Sequence, residues 1–290
     1  MSMFNKGEEL LKLCNEKNKK ISDIVIEKEL DDTGISYDEL MNKMKETLDV
    51  MNNSATSALN KEIISVSRLT GGDSKKVETY KNMDNTLSGK LINSAMAKAL
   101  STSEVNASMG KIVACPTAGA SGILPSAVLT AKERLNLTDE DVIKGLFTAA
   151  GIGEIVAKNA TISGAEGGCQ AECGVASAMA AAAVVEMSGG TPEACLNAAS
   201  FSLINIMGLV CDPIAGLVEY PCALRNASGV VNALISADLA LAGVNSLVPF
   251  DEVVDAMYKV GKLLPESLRE TAMGGLASTP TGEELKRRIL

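Results

Sequence analysis

Residues 174–187 read GVASAMAAAAVVEM, a run with one charge and a nearly unbroken series of small or branched apolar side chains. Alanine has the highest helix propensity and loses no side-chain entropy on folding, so the run predicts a helix, and its apolarity predicts a role in filling the core. The rest of the 290-residue chain agrees: hydrophobic residues make up 46% but aromatics only 3%, with no Trp. A core of Ala, Leu, Ile, Val and Met lets helices approach closely and lacks the aromatic pairs that stabilise sheets. Strand signals are short and isolated, and Val210 and Val230-Val231 fall inside longer helical patterns. The expected fold is all-α: a single helical domain over residues 1–290, of which 1–60 form a more polar N-terminal helical part, with no internal repeat and no disordered linker.

Outward from that run, local signals mark where helices start and stop. Leu40, Met41, Met44, Leu48 and Met51 are spaced for one face of a helix from about Tyr37 to about Leu59, and residues 86–108 resume a helical pattern. Leu69-TGGDSKK reads as a glycine turn. Thr138 followed by Asp141 is a capping box, Thr191-Pro192 places proline at a first helical position, and Asp212-Pro213 repeats that arrangement directly after Cys211. Gly274-Gly275 reads as a helix stop.

The formal net charge is −9, which argues against a nucleic-acid partner, whose phosphates need a basic surface. The first twenty residues are charged throughout and lack the apolar core of a signal peptide, so the chain is expected in the reducing cytoplasm. Two uncharged stretches have the length of a membrane span, 112–131 and 194–211. The first is broken by Pro116, Pro125 and glycines, the second by two Asn and two Ser, so neither is expected to face lipid.

Seven cysteines and no histidine point to free thiols and, where they cluster, to a metal. Cys169 and Cys173 lie in 166–174, EGGCQAECG, and Cys211 and Cys222 bracket CDPIAGLVEYPC. Without imidazole the choice is between iron–sulfur and a Cys-only zinc site. Only Cys169 and Cys173 have zinc-knuckle spacing, and the C-x₂-C-x₂-C run of a ferredoxin is missing. Gly167-Gly168, Asp212-Pro213 and Pro221 supply irregular backbone that can turn N–H groups toward sulfur. Cys14, Cys115 and Cys195 read as small buried hydrophobes.

The segments 110–129 (GKIVACPTAGASGILPSAVL), 166–193, 211–243 and 268–282 closely resemble the catalytic α chain of bacterial iron–sulfur L-serine dehydratase, and the likeness runs from about Ile64 to the C-terminus. The resemblance implies an all-helical catalytic domain with Gly-rich loops at a [4Fe–4S] cluster held by three cysteines, leaving one iron open to L-serine. The family's ligand spacing matches Cys169, Cys211 and Cys222, separated by 42 and 11 positions, which makes Cys173 a neighbour and competitor. The 116–122 loop matches the family's loop against the cluster, so Thr117, Gly119, Ser121 and Gly122 are substrate-binding candidates, and Gly71 and Gly72 are candidates in a second family segment. Arg225 and Asn226 follow Cys222 closely enough to reach the site; an ion pair of Arg225 with Glu219 or Glu172 is the structural alternative.

In the family a β portion, fused or separate, contributes histidines. A histidine-free chain of this length is therefore expected to pair with a separate β subunit that carries the base. Some fused members end in a cysteine that folds onto the open iron; this sequence ends Lys286-RRIL, so no such self-blocking is expected. Two rival readings remain. A pyridoxal-phosphate dehydratase would need an α/β fold and a Schiff-base lysine, for which Lys90 is a poor substitute, and a non-catalytic helical subunit would use its cysteines for structural metal.

Overall fold

The computed structural model describes residues 3–289. The polar N-terminal part forms α1 (Gly7–Lys17), α2 (Ile21–Thr33) and α3 (Tyr37–Thr56), followed by α4 (Asp73–Tyr80) and α5 (Gly89–Ala107). The apolar remainder forms α6 (Ile123–Leu135), α7 (Asp139–Asn159), the single turn α8 (Gly164–Gly167), α9 (Val175–Met187), α10 (Pro192–Asn205), α11 (Cys222–Leu241), α12 (Phe250–Leu263) and α13 (Pro280–Ile289). No strand occurs among the described residues, only two isolated bridges, Ile64 with Gly71 and Cys211 with Arg269. No helix among them is long and apolar enough to cross a membrane.

The alanine-rich run is the axis of the fold. Every residue of α9 from Val175 to Glu186 is buried, and the helix packs against α6, α7, α10 and α11. A helix that is apolar all round must be surrounded, and its small side chains set how near the neighbours come. On α7, a methyl at Gly145 would lie 2.7 Å from Met187 Sδ, so the side chain of Met187 occupies the space the glycine leaves. The core is continuous from Phe4 in the N-terminal part to Met257 on α12, so the polar first third packs on the same interior as the rest.

Local starts follow local chemistry. Thr138 Oγ1 accepts from Asp141 N at 3.3 Å while the Asp141 carboxylate accepts from Thr138 N at 2.9 Å, and Thr191 Oγ1 accepts from Ala194 N at 3.2 Å with Pro192 first in α10. Four expectations are corrected by the structure. Helix α3 ends at Thr56, short of Leu59, and Ser101 Oγ accepts from Ala58 N in the chain that leaves it. Val210 is non-helical and leads into the Cys211 bridge. Asp212-Pro213 opens a 3₁₀ turn, Ile214–Gly216, rather than an α-helix, because Asp212 is already engaged by Arg225 and by Leu276 N. No helix stops at Gly274-Gly275; Gly274 precedes a 3₁₀ turn over Gly275–Ser278.

One buried acid gives the fold a pH dependence. Glu186, near the end of α9, reaches the start of α2, where Ser22 N donates to Oε2 at 3.3 Å. Burial raises its carboxyl above the usual 4.5. The native protein therefore keeps this proton where the unfolded chain has lost it. The stability it contributes is complete below about pH 4.5 and falls as pH climbs through the raised value. Glu186→Gln is expected to flatten that decline and to raise the denaturation midpoint at pH 8 relative to wild type, measured by urea titrations at pH 5 and pH 8.

Candidate functional site

Three segments meet at the N-terminal end of α9. The first is the tight stretch after α8, where Gly168 takes φ +76° with no room for a side chain: a methyl would lie 2.8 Å from Leu209 O. Gln170 holds this stretch in place, its Nε2 donating to Gly167 O (2.9 Å) and Met257 O (3.1 Å) and its Oε1 accepting from Gly208 N (2.8 Å). A π-helical turn over Gln170–Gly174 then brings Cys173 back toward Cys169, with their sulfurs 3.3 Å apart. Such turns concentrate at functional sites.

The second segment carries Cys211 and Cys222. Cys211 is fixed by its backbone, donating to Leu268 O (2.8 Å) and accepting from Glu270 N (2.7 Å), so the 268–276 strap lies directly on it. Cys222 begins α11, at the positive end of its dipole, where Ala223 N and Arg225 N are already taken by Glu219 O and Pro221 O. Thiol contacts from Cys173 and Cys211, aided by the charge of Arg225, hold Cys169 well below an ordinary thiol and oppose its burial. Its neighbours are driven the other way: Cys173 and Cys211 are raised by the contact with Cys169 and by burial, and burial pushes Cys222 up to about 12. Contact among the thiols thus pulls Cys169 one way and Cys173 and Cys211 the other. Cys14 and Cys115 are each pushed up to about 12 by burial, and Cys195 is raised by the same cause; Cys115 Sγ donates to Ser121 O of the 116–122 loop at 3.6 Å.

The third segment is the 116–122 loop. Asn226, one turn along α11 from Cys222, clamps it: Nδ2 donates to Gly119 O (2.7 Å) and to Cys222 O (2.9 Å), and Oδ1 accepts from Gly122 N (2.8 Å). Ser121 Oγ donates to Ala118 O (2.8 Å), so Ser121 and Gly122 have partners within the fold. Thr117 Oγ1 donates to Glu172 Oε1 at 2.7 Å, and Gly119 faces the same carboxylate. Gly71 and Gly72 lie farther out. Gly72 precedes α4, whose first N–H groups, on Asp73 and Ser74, are taken by Glu104 Oε1 (2.7 and 2.9 Å). Their loop touches the thiol segment through Glu219, which accepts from Ser67 Oγ (2.8 Å) and Thr70 Oγ1 (3.1 Å).

Glu172 was not singled out by the sequence except as an ion-pair partner. Burial, then the nearby Cys169 charge, lift its carboxyl to about 7 against the Thr117 hydrogen bond, and Oε2 lies 3.8 Å from Cys211 Sγ. A lone acid between two cysteines in an otherwise uncharged run was the available signal. Arg225 pairs with neither Glu219 nor Glu172; its Nη2 lies 2.7 Å from Asp212 Oδ1, because Cys211 and the strap bring that carboxylate to the first turn of α11.

An all-helical fold gathers four buried cysteines, two glycine loops and a buried carboxyl at one end of its central helix. The chain belongs to the serine dehydratase alpha chain family, whose model matches residues 16–277 and so extends the likeness into the N-terminal helices. It is 53% identical to the L-serine dehydratase alpha chain of Peptoniphilus asaccharolyticus over 99% of both chains. It is 51% identical to the probable L-serine dehydratase alpha chain of Bacillus subtilis, over 99% of this chain and 95% of that one. Against the longer L-serine dehydratase of Helicobacter pylori, 37% identity covers 95% of this chain but 62% of the relative.

Proposed function

We propose that this chain is the α subunit of an iron–sulfur L-serine dehydratase that converts L-serine to pyruvate and ammonium, with Cys169, Cys211 and Cys222 holding a [4Fe–4S] cluster. The observation that carries the reading is the chemistry of the donor set: four buried cysteines, with Cys169 and Cys173 sulfurs 3.3 Å apart, where Gly164 leaves no side chain against Cys211 (a methyl would lie 3.1 Å from its sulfur). Among the described residues no three ligating side chains converge on a single ion. Cluster thiolates attach to separate irons, so they need not converge. When bound, the cluster would supply a Lewis-acidic iron that makes the serine hydroxyl a better leaving group.

The chain's own residues do the rest of what falls to it. The 116–122 loop walls the substrate space, with Thr117 orienting Glu172 and with Gly119 keeping the wall close; Ser121, Gly122 and Asn226 hold its shape. Glu172, held by Thr117 and beside Cys211, faces that space as an acid, and Ser67 and Thr70, in the loop that carries Gly71 and Gly72, brace the site through Glu219. The base that removes the α-proton is assigned to a β subunit. The relatives named as alpha chains, and the 38% of the Helicobacter pylori protein that this chain does not span, support that division.

Anaerobic co-purification with its β partner tests the reading: iron and sulfide should co-purify and serine should yield pyruvate. Zinc without iron or sulfide would leave a structural Cys-only site and no dehydratase. Full-rate turnover by the isolated chain with its cluster would remove the need for a partner's base.

A further inference from the structure

A cleft of about 380 Å³ opens beside the thiols, between the turn that follows α10 and the first turns of α11. Its walls include Cys173, Asn205, Gly208 and Ser228, and Arg225 is the one charged side chain among its described lining residues. Sites for small molecules typically enclose about 300–1,000 Å³ and carry a few placed polar groups in an apolar lining. This cleft has that character.

The guanidinium is half used. Nη2 binds Asp212 Oδ1 at 2.7 Å, whereas Nη1 is buried and has no partner. A desolvated donor of a charged group left unpaired costs more than a hydrogen bond is worth. Asp212 does not serve both arms: its other oxygen faces Leu276 N, from which it accepts at 2.7 Å. The ion pair therefore fixes the orientation of the guanidinium and leaves one arm for something else. A planar guanidinium matches carboxylate geometry, and a side chain already held in place loses little further entropy on binding one.

We propose that Arg225 binds the α-carboxylate of the substrate at this cleft, with Ser228 beside it. The inference rests on the dehydratase reading and adds which residue reads the substrate's acid group. One cation in an otherwise uncharged lining suits a monocarboxylic amino acid; a dicarboxylate would bring a second charge with no partner. This makes Arg225 a specificity determinant as well as an anchor.

The test uses the anaerobic αβ holoenzyme and two unreactive probes, L-alanine, which lacks the leaving hydroxyl, and L-alaninamide, which also lacks the carboxylate. By calorimetry the wild type should bind alanine about ten- to a hundredfold more tightly than alaninamide, the scale of one charge-assisted hydrogen bond. Arg225→Gln should lose that preference and raise KM for serine more than it lowers kcat. Arg225→Lys, which keeps the charge without the fork, should fall between. Iron content and thermal unfolding are followed in each variant. Equal wild-type affinity for the two probes would overturn the proposal, and that measurement requires no variant to fold. So would variants that lose iron yet keep the alanine preference, since Arg225 would then serve the thiols alone. Failure of the dehydratase reading is distinct: the wild type would contain no iron and leave serine unchanged.

Discussion

Serine in place of Cys169, Cys211 or Cys222 is expected to strip iron from the protein and to lower serine turnover by at least about a thousandfold, roughly 4 kcal/mol of transition-state stabilisation. The substitution removes one atom's softness and little volume. A serine hydroxyl stays protonated where a thiol ionises, and a hard oxygen is a poor ligand for an iron–sulfur centre. Cys173→Ser should behave differently. Its sulfur accepts from Cys169 Sγ at 3.3 Å, and a hydroxyl oxygen can take that contact, so iron and sulfide should be retained. Anaerobic iron and sulfide analysis with visible absorbance checks all four variants. Loss of iron in Cys173→Ser together with retention in Cys222→Ser would reassign the third ligand.

The second large effect is expected far from the thiols in sequence, at Gly275. This residue has φ +62°, and a methyl there would overlap the Asp212 carboxylate, with Asp212 Cβ only 2.6 Å away. Asp212 is buried and cannot withdraw, since it is held by Arg225 on one oxygen and by Leu276 N on the other. Gly275→Ala should therefore cost about 2–4 kcal/mol, about 1–2 from the left-handed backbone and the remainder from displaced packing. Gly34→Ala supplies the comparison: its φ is +70° but its surroundings are open, so only the backbone cost of about 1 kcal/mol should appear. Denaturant titration of the two variants separates the effects. Because the 268–276 strap also fixes Cys211 through Leu268 O and Glu270 N, Gly275→Ala should lose iron faster on exposure to chelator than Gly34→Ala.

Much of the site was legible because its signals are short. Cysteines bounded by Gly and Pro, the 116–122 loop and the absence of histidine can be read within a few residues, and the family resemblance assembled them. Glu172 and Gln170 escaped notice because nothing local distinguishes a buried functional acid or a bracing amide from polar residues on a solvated turn. Their roles come from Thr117, Cys211, Gly208 and Met257, which are distant in the chain. The partner of Arg225 was misjudged for the same reason. Glu219 and Glu172 were plausible by proximity and charge, but Glu219 is occupied by Ser67 and Thr70 and Glu172 by Thr117.

By itself the sequence determined the helical class, the alanine-rich central helix and the caps at Thr138 and Thr191, because helix propensity, capping and apolar periodicity act over about four residues. Tertiary structure alone decided that Val210 is non-helical and leads into the Cys211 bridge to Arg269, that Asp212-Pro213 does not start a helix, and that Gly275 leaves room for Asp212. Each of these depends on a contact between residues more than fifty positions apart, such as Asp212 with Leu276. Hydrogen bonds and close packing of that kind outweigh local propensity when the groups they satisfy are buried.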